Sequence, residues 1–159
     1  LAYHHMYGLH AVVTRCSNNY GIRQHPEKYI PSAIRHALRG EPIPLHAGGR
    51  HVRDWIAVED HCRGIWSALE LGRPGHVYHY GGGSERRAID VAHQILDRMG
   101  RPRSQTVFVP DRPGNDARYA MDYDKAMREL GWVPQVKSFE EELQRVVDWY
   151  VAHPEWLEP

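Results

Sequence analysis

The chain reads as an α/β protein on three observations. Runs of β-branched and aromatic residues at 11–14, 75–80 and 106–109 have the length and composition of strands. Between them lie segments whose apolar residues recur every three or four positions, the helical period. The strand-like runs end in small polar residues, glycine or proline, as parallel strands do where they feed ligand-binding loops. Alternation of the two element types is the mark of the α/β class.

Residues 1–8 read as the last two turns of a helix, with Gly8 as its stop. A helix without a beginning, in a chain that starts at Leu1, suggests a fragment. A strand over 9–16 then feeds a polar loop at 17–21. Residues 28–39 are helical, with Tyr29, Ile30, Ala33, Ile34, Ala37 and Leu38 on one face and Gly40 ending the run. Prolines hold 42–46 extended, Gly48 and Gly49 make a turn, and 51–56 is extended again. Residues 58–71 form a helix entered through Glu59 and Asp60, and its apolar stripe of Cys62, Ile65, Trp66 and Leu69 is expected to face the core. Further helices cover 89–99, 124–130 and 139–151, the last opened by a capping box of Ser138 and Glu141. Trp132, Trp149 and Trp156 are expected to serve packing.

Bulk composition excludes several classes. The 159 residues carry 20 basic and 20 acidic side chains, so no electrostatic footprint for nucleic acid exists, and none is expected as a partner. No apolar run reaches membrane-spanning length, so no membrane partner is expected either. Twelve histidines are scattered without metal-ligand spacing, and no metal site is expected. The two cysteines, Cys16 and Cys62, suit reduced thiols in a cytoplasmic protein.

Chemistry is sparse but patterned. Asn18 and Asn19, at a strand end, carry donors and acceptors suited to sugar hydroxyls or an amide, though Asn and Gly also make ordinary turns. Lys28 stands near a helix N-terminus, where an anion is favoured, or is a solvated lysine. Arg53 suits bidentate phosphate recognition or an ion pair with Asp54 or another neighbour. Arg112, in a rigid Arg-Pro-Gly turn, could complete a diphosphate clamp with Arg53; the plainer alternative is a turn braced among Asp111, Asp116 and Arg118. Ser17 lacks a nucleophile-elbow context, and no Gly-x-Gly-x-x-Gly opens a helix, so a complete dinucleotide site is absent.

Taken in order, Cys16-Ser17-Asn18-Asn19-Tyr20-Gly21, Pro26-Glu27-Lys28, Arg53-Asp54-Trp55 with Val58-Glu59-Asp60-His61, Asp111-Arg112-Pro113-Gly114, Arg118-Tyr119-Ala120, Glu129-Leu130-Gly131-Trp132 and Trp149-Tyr150 form one pattern. The chain resembles the C-terminal half of dTDP-glucose 4,6-dehydratases, within the extended short-chain dehydrogenase/reductase family, over effectively its whole length. The resemblance implies the last parallel strands of a Rossmann-type sheet plus a small α/β substrate-binding domain. Residues 1–25 would end the dinucleotide-binding domain and 26–159 would be mainly the nucleotide-sugar-binding domain, with 75–100 returning to the Rossmann sheet.

The implied activity is that of an NAD-dependent hydro-lyase. The C4 hydroxyl of dTDP-glucose is oxidised, water leaves across C5 and C6, and hydride returns to C6, giving dTDP-4-keto-6-deoxy-glucose. Ser17 and Asn19 would touch NAD. Asn18, Lys28 and Tyr29 would follow the substrate, Pro44, Leu45 and His46 would line the base largely through backbone, and Arg53 and Arg112 would clamp the diphosphate. Asn115 would sit beside them and Tyr150 would close the pocket. A homodimer is implied, formed through the helix that ends at Tyr7.

The family usually has Pro at the position of Ile22, Asn at those of His79 and Ala88, and His at that of Asn115, which bears on fine substrate preference. The Tyr-x-x-x-Lys pair, the acidic Asp-Glu pair and the glycine-rich NAD loop are expected upstream of Leu1. No catalytic residue is therefore assigned within the chain, which by itself is expected to be inactive. Alternatives are a UDP-glucuronate decarboxylase or epimerase, which shares Arg-Asp-Trp, and a truncated chain that only binds a nucleotide sugar.

Overall fold

The computed structural model describes Leu1–Glu158, and the chain forms two compact units. The first comprises Leu1–Asn19, Asp54–Glu85 and Ala120–Lys137; the second comprises Tyr20–Arg53, Arg86–Tyr119 and the segment from Ser138 onward.

In the first unit, β1 (Val13–Cys16) pairs in parallel with β5 (Val77–Tyr80), in a register that sets Cys16 opposite Tyr80. Helices α3 (Val58–Leu71) and α5 (Asp124–Leu130) pack on this pair. The core joins Ile56, Ala68, Tyr78, Tyr80, Ala126, Leu130 and Trp132. Tyr80 meets Trp132 edge-on at 4.8 Å, a favoured aromatic geometry. The short α1 (Ala2–Tyr7) ends at Gly8 in the left-handed conformation, as do α2 (Tyr29–Arg39) at Gly40 and α5 at Gly131.

In the second unit, β3 (Ile43–His46) pairs in parallel with β7 (Thr106–Val109), so both strands point their carboxyl ends the same way. Three helices, α2, α4 (Ala88–Arg98) and α6 (Phe139–Ala152), pack together around a core that includes Ile30, Ile34, Ile95, Leu96, Leu143 and Val146. The predicted apolar face of α2 is realised, with Ile30, Ala33, Ile34 and Ala37 buried. Ser138 caps α6 by accepting from the Glu141 N–H at 3.1 Å. A second parallel pairing joins Val52 and Arg53 of β4 (Val52–Ala57) to β8 (Arg118–Tyr119).

Two sequence expectations are corrected. The 17–21 segment contains a strand, β2 (Asn18–Tyr20), rather than a plain loop. The stripe on α3 faces outward instead of inward: Ile65, Trp66 and Leu69 are exposed, as is Cys62, while Asp60, Gly64 and Ala68 form the buried face. The reason is distance. A Cβ at Gly64 would lie 2.6 Å from the Tyr80 ring, so only a face of small residues lets the helix sit this close to β5. Both cysteines are free thiols, and among the described residues no helix is long and apolar enough to cross a membrane.

Candidate functional site

The second unit brings the Arg53 guanidinium and the 110–116 turn together where β3 and β7 end. His46, the last residue of β3, holds the Pro110 carbonyl through its Nδ1 at 2.7 Å, so the turn after β7 is pinned to the end of β3. That turn carries Asp111, Arg112 and Asn115. Arg53 Nη1 donates to the carbonyls of Val52 and Asp116, both at 2.8 Å, and Nη2 donates to Asn115 Oδ1 at 2.9 Å. The guanidinium is therefore fixed by partners up to 63 residues away in sequence.

Asp111 braces the turn through Arg112 and His51. Its Oδ1 accepts from the Arg112 N–H at 2.8 Å, and its Oδ2 lies 3.2 Å from His51 Nε2. Partial burial works to raise the Asp111 pKa, but the Arg112 N–H, the Asn115 amide and the nearby His51 and His46 outweigh it and hold the carboxyl below its ordinary range. Carboxyl ends of parallel strands are where ligands bind in α/β folds, and Arg53, Asn115, His46 and the turn that carries Arg112 gather at such an end.

The remaining residues expected on the substrate side fall into two groups. Lys28 is exposed and forms the N-cap of α2, and Pro44 is exposed on β3. Leu45 is buried, so only its backbone is on offer. Tyr29 donates its hydroxyl to the Ala88 carbonyl at 2.6 Å, and burial pushes its pKa up. Tyr150 is fully buried and donates to the Gln24 carbonyl at 3.0 Å. Both hydroxyls thus serve the scaffold of this unit.

The first unit presents an amide patch at the ends of β1 and β5. The Ser17 N–H donates to the Tyr80 carbonyl at 3.0 Å, which extends the parallel pairing by one residue. Ser17 Oγ is buried without a hydrogen-bond partner among the described residues. Asn19 Nδ2 donates to Cys16 Sγ at 3.1 Å and to the Ser17 carbonyl at 3.2 Å, while its Oδ1 faces His61 Nδ1 at 2.9 Å. Asp54, one of two candidate partners for Arg53, instead accepts the N–H groups of Gly82 and Ser84 at 3.0 and 2.7 Å, tying down the glycine run after β5.

Asp60 has a structural task. It accepts the Gln135 and Val136 N–H groups at 2.8 and 3.0 Å and pairs with Arg63.

The sequence profile of the family described as GDP-mannose 4,6 dehydratase matches residues 1–146. The chain belongs to this family. Within the GDP-mannose 4,6 dehydratase family its similarity is to enzymes acting on another nucleotide sugar. It is 47% identical over 156 residues to a dTDP-glucose 4,6-dehydratase of Actinoplanes sp., covering 98% of this chain and 48% of that protein. It is also 47% identical to the dTDP-glucose 4,6-dehydratase of Xanthomonas campestris pv. campestris, covering 99% and 47%. Among solved structures, DesIV, a dTDP-glucose 4,6-dehydratase from Streptomyces venezuelae with NAD bound, superposes with a TM-score of 0.95 at 47% identity, covering 99% of this chain and 49% of that one. A UDP-glucose 4-epimerase from Thermotoga maritima superposes with a TM-score of 0.88 at 30% identity, covering 96% and 50%. The chain spans about half the length of the curated relatives it matches. The Rossmann-type α/β class expected from the motifs agrees with these neighbours.

Two contacts at the patches were not assigned from sequence. His61 belongs to the Val-Glu-Asp-His motif, one turn into a helix, and that position was the only signal that it would meet Asn19. His51 precedes Arg53 by two residues, hence on the same side of an extended segment, which is a weak signal.

Proposed function

We propose that this chain is the nucleotide-sugar-binding part of an NAD-dependent dTDP-glucose 4,6-dehydratase, with Arg53 and Arg112 on the diphosphate and Asn115 beside them. The observation that carries the reading is the fixed Arg53 guanidinium at the carboxyl ends of β3 and β7, supported by 47% identity to dTDP-glucose 4,6-dehydratases against 30% to a UDP-glucose epimerase. Arginine presents several N–H donors in a planar fork, which suits a diphosphate better than a lysine does. His46 and the backbone of Pro44 and Leu45 lie on the strand that leads into the same patch and are the proposed contacts to the base. Lys28 and the ring of Tyr29 complete the proposed substrate side, while the fully buried Tyr150 supports it from within the scaffold.

Ser17 and Asn19 fit one end of NAD. The unpartnered, buried Ser17 Oγ suits a polar contact with a carboxamide, and Asn18 follows on the sugar side. When bound, NAD supplies hydride acceptance and return. The residues of this chain bind and orient the sugar nucleotide. The Tyr-x-x-x-Lys pair is not among them, since neither Tyr3 nor Tyr7 has Lys four positions on. Function as a homodimer and a cytoplasmic setting belong to the same proposal.

Calorimetry with dTDP, dTDP-glucose and UDP-glucose tests it. The expected result is binding of dTDP and dTDP-glucose, weaker binding of UDP-glucose, and no conversion of dTDP-glucose by the 159 residues. Absence of dTDP binding, or preference for the UDP sugar, would overturn the assignment. Turnover would overturn the claim that the chain binds without reacting.

A further inference from the structure

We propose that His51 is a positioning residue that sets the direction of the Arg53 guanidinium through Asn115, an inference that rests on the reading of Arg53 as a diphosphate ligand. An asparagine amide has a donor end and an acceptor end, and its orientation follows from its neighbours. Arg53 can only donate, so Asn115 Oδ1 faces it at 2.9 Å. The Nδ2 end must then meet acceptors, and it lies 3.1 Å from His51 Nδ1 and 3.4 Å from Asp111 Oδ1. His51 meets this demand in one tautomer: the bare Nδ1 accepts from Asn115, and the protonated Nε2 lies 3.2 Å from Asp111 Oδ2. Direction is thus passed from Asp111 through the imidazole and the amide to the guanidinium.

The imidazole is well placed to be the controlling member. Its side chain is 12% exposed, so water is a poor substitute. Its backbone is fixed as well, because the His51 carbonyl accepts from the Ala88 N–H at 3.0 Å and the next residue enters the pairing of β4 with β8. Of the five guanidinium N–H groups of Arg53, three are engaged among the described residues by Val52, Asp116 and Asn115, and two remain for an anion. Without the Asn115 bond the fork is held through Nη1 alone, and the two remaining donors lose part of the constraint on their direction. His51 touches no ligand in this scheme; it aims the residue that does.

The test is calorimetry of the unaltered chain, His51→Phe and His51→Gln with dTDP and with thymidine, which lacks the diphosphate, alongside thermal unfolding of each variant. Glutamine can present an acceptor to Asn115 and a donor to Asp111, whereas phenylalanine can do neither. The expected result is a roughly tenfold weaker affinity of His51→Phe for dTDP with thymidine unchanged, and recovery to within about threefold in His51→Gln. Unchanged dTDP affinity in His51→Phe, equal loss for dTDP and thymidine, or a His51→Gln variant as weak as the phenylalanine one would overturn the positioning role. If His51→Phe fails to fold, the His51→Gln comparison decides, and dTDP affinity reduced tenfold there overturns the role. Failure of the unaltered chain to bind dTDP overturns the diphosphate reading itself, and the positioning role with it.

Discussion

His61 Nδ1 donates to Asn19 Oδ1 across 2.9 Å, joining the first turn of α3 to β2. That bond takes up the acceptor end of the amide, while Cys16 and the Ser17 carbonyl take up the donor end. The Asn19 side chain is thereby locked, so the ligand contact proposed at this point would be made against a rigid group.

Burial holds the His61 pKa below its ordinary value of 6.5, because the half-buried ring is poorly solvated when charged. Below about pH 6.5 the unfolded chain takes up a proton at this position that the folded chain does not, so stability falls as pH drops through the interval down to the folded-state pKa. His61→Gln keeps an N–H donor for Asn19 without titrating. Melting curves at pH 7.5 and 5.5 are expected to show a smaller loss of Tm on acidification for His61→Gln than for the unaltered chain.

Asp60→Ala removes the acceptor for two N–H groups and leaves Arg63 without its buried partner. A cost of about 3 to 5 kcal/mol is expected, read as a lower urea midpoint. Asp60→Asn keeps one acceptor oxygen and should fall between the two.

Gly82→Ala is expected to be among the most damaging small substitutions. A Cβ there would lie 1.8 Å from the Trp55 carbonyl oxygen, and backbone cannot step aside as a flexible side chain can. A loss on the order of 3 kcal/mol is expected in chemical denaturation.

Trp66→Gln and Leu69→Gln should leave stability within about 0.5 kcal/mol, because both side chains are exposed in this chain. Were the stripe part of the core, each change would cost several times more, so the same denaturation experiment separates the two arrangements.

Arg112→Ala should weaken dTDP binding by roughly tenfold or more while leaving thymidine binding unchanged, the loss expected for a charge-assisted hydrogen bond to phosphate. Equal loss for both ligands would point to a disturbed turn rather than a missing contact.

Local physics made much of the architecture legible in the sequence. The α2 face, the Ser138 cap and the left-handed stops at Gly8 and Gly40 all depend on neighbours within a few residues, and each is realised. The motifs also led to the right family, since their order along the chain is itself sequence information. Tertiary structure decided the rest. Periodicity located an apolar stripe on α3, but the close approach of Gly64 to Tyr80 turned the small face inward and the stripe outward. Arg53 could have paired with its neighbour Asp54, yet folding brought Asn115 and the Asp116 carbonyl to it from more than sixty residues away. His51 and His61 acquired partners 64 and 42 residues distant by the same route. Spacing along a chain determines which side chains share a face, whereas packing at close range determines what that face meets.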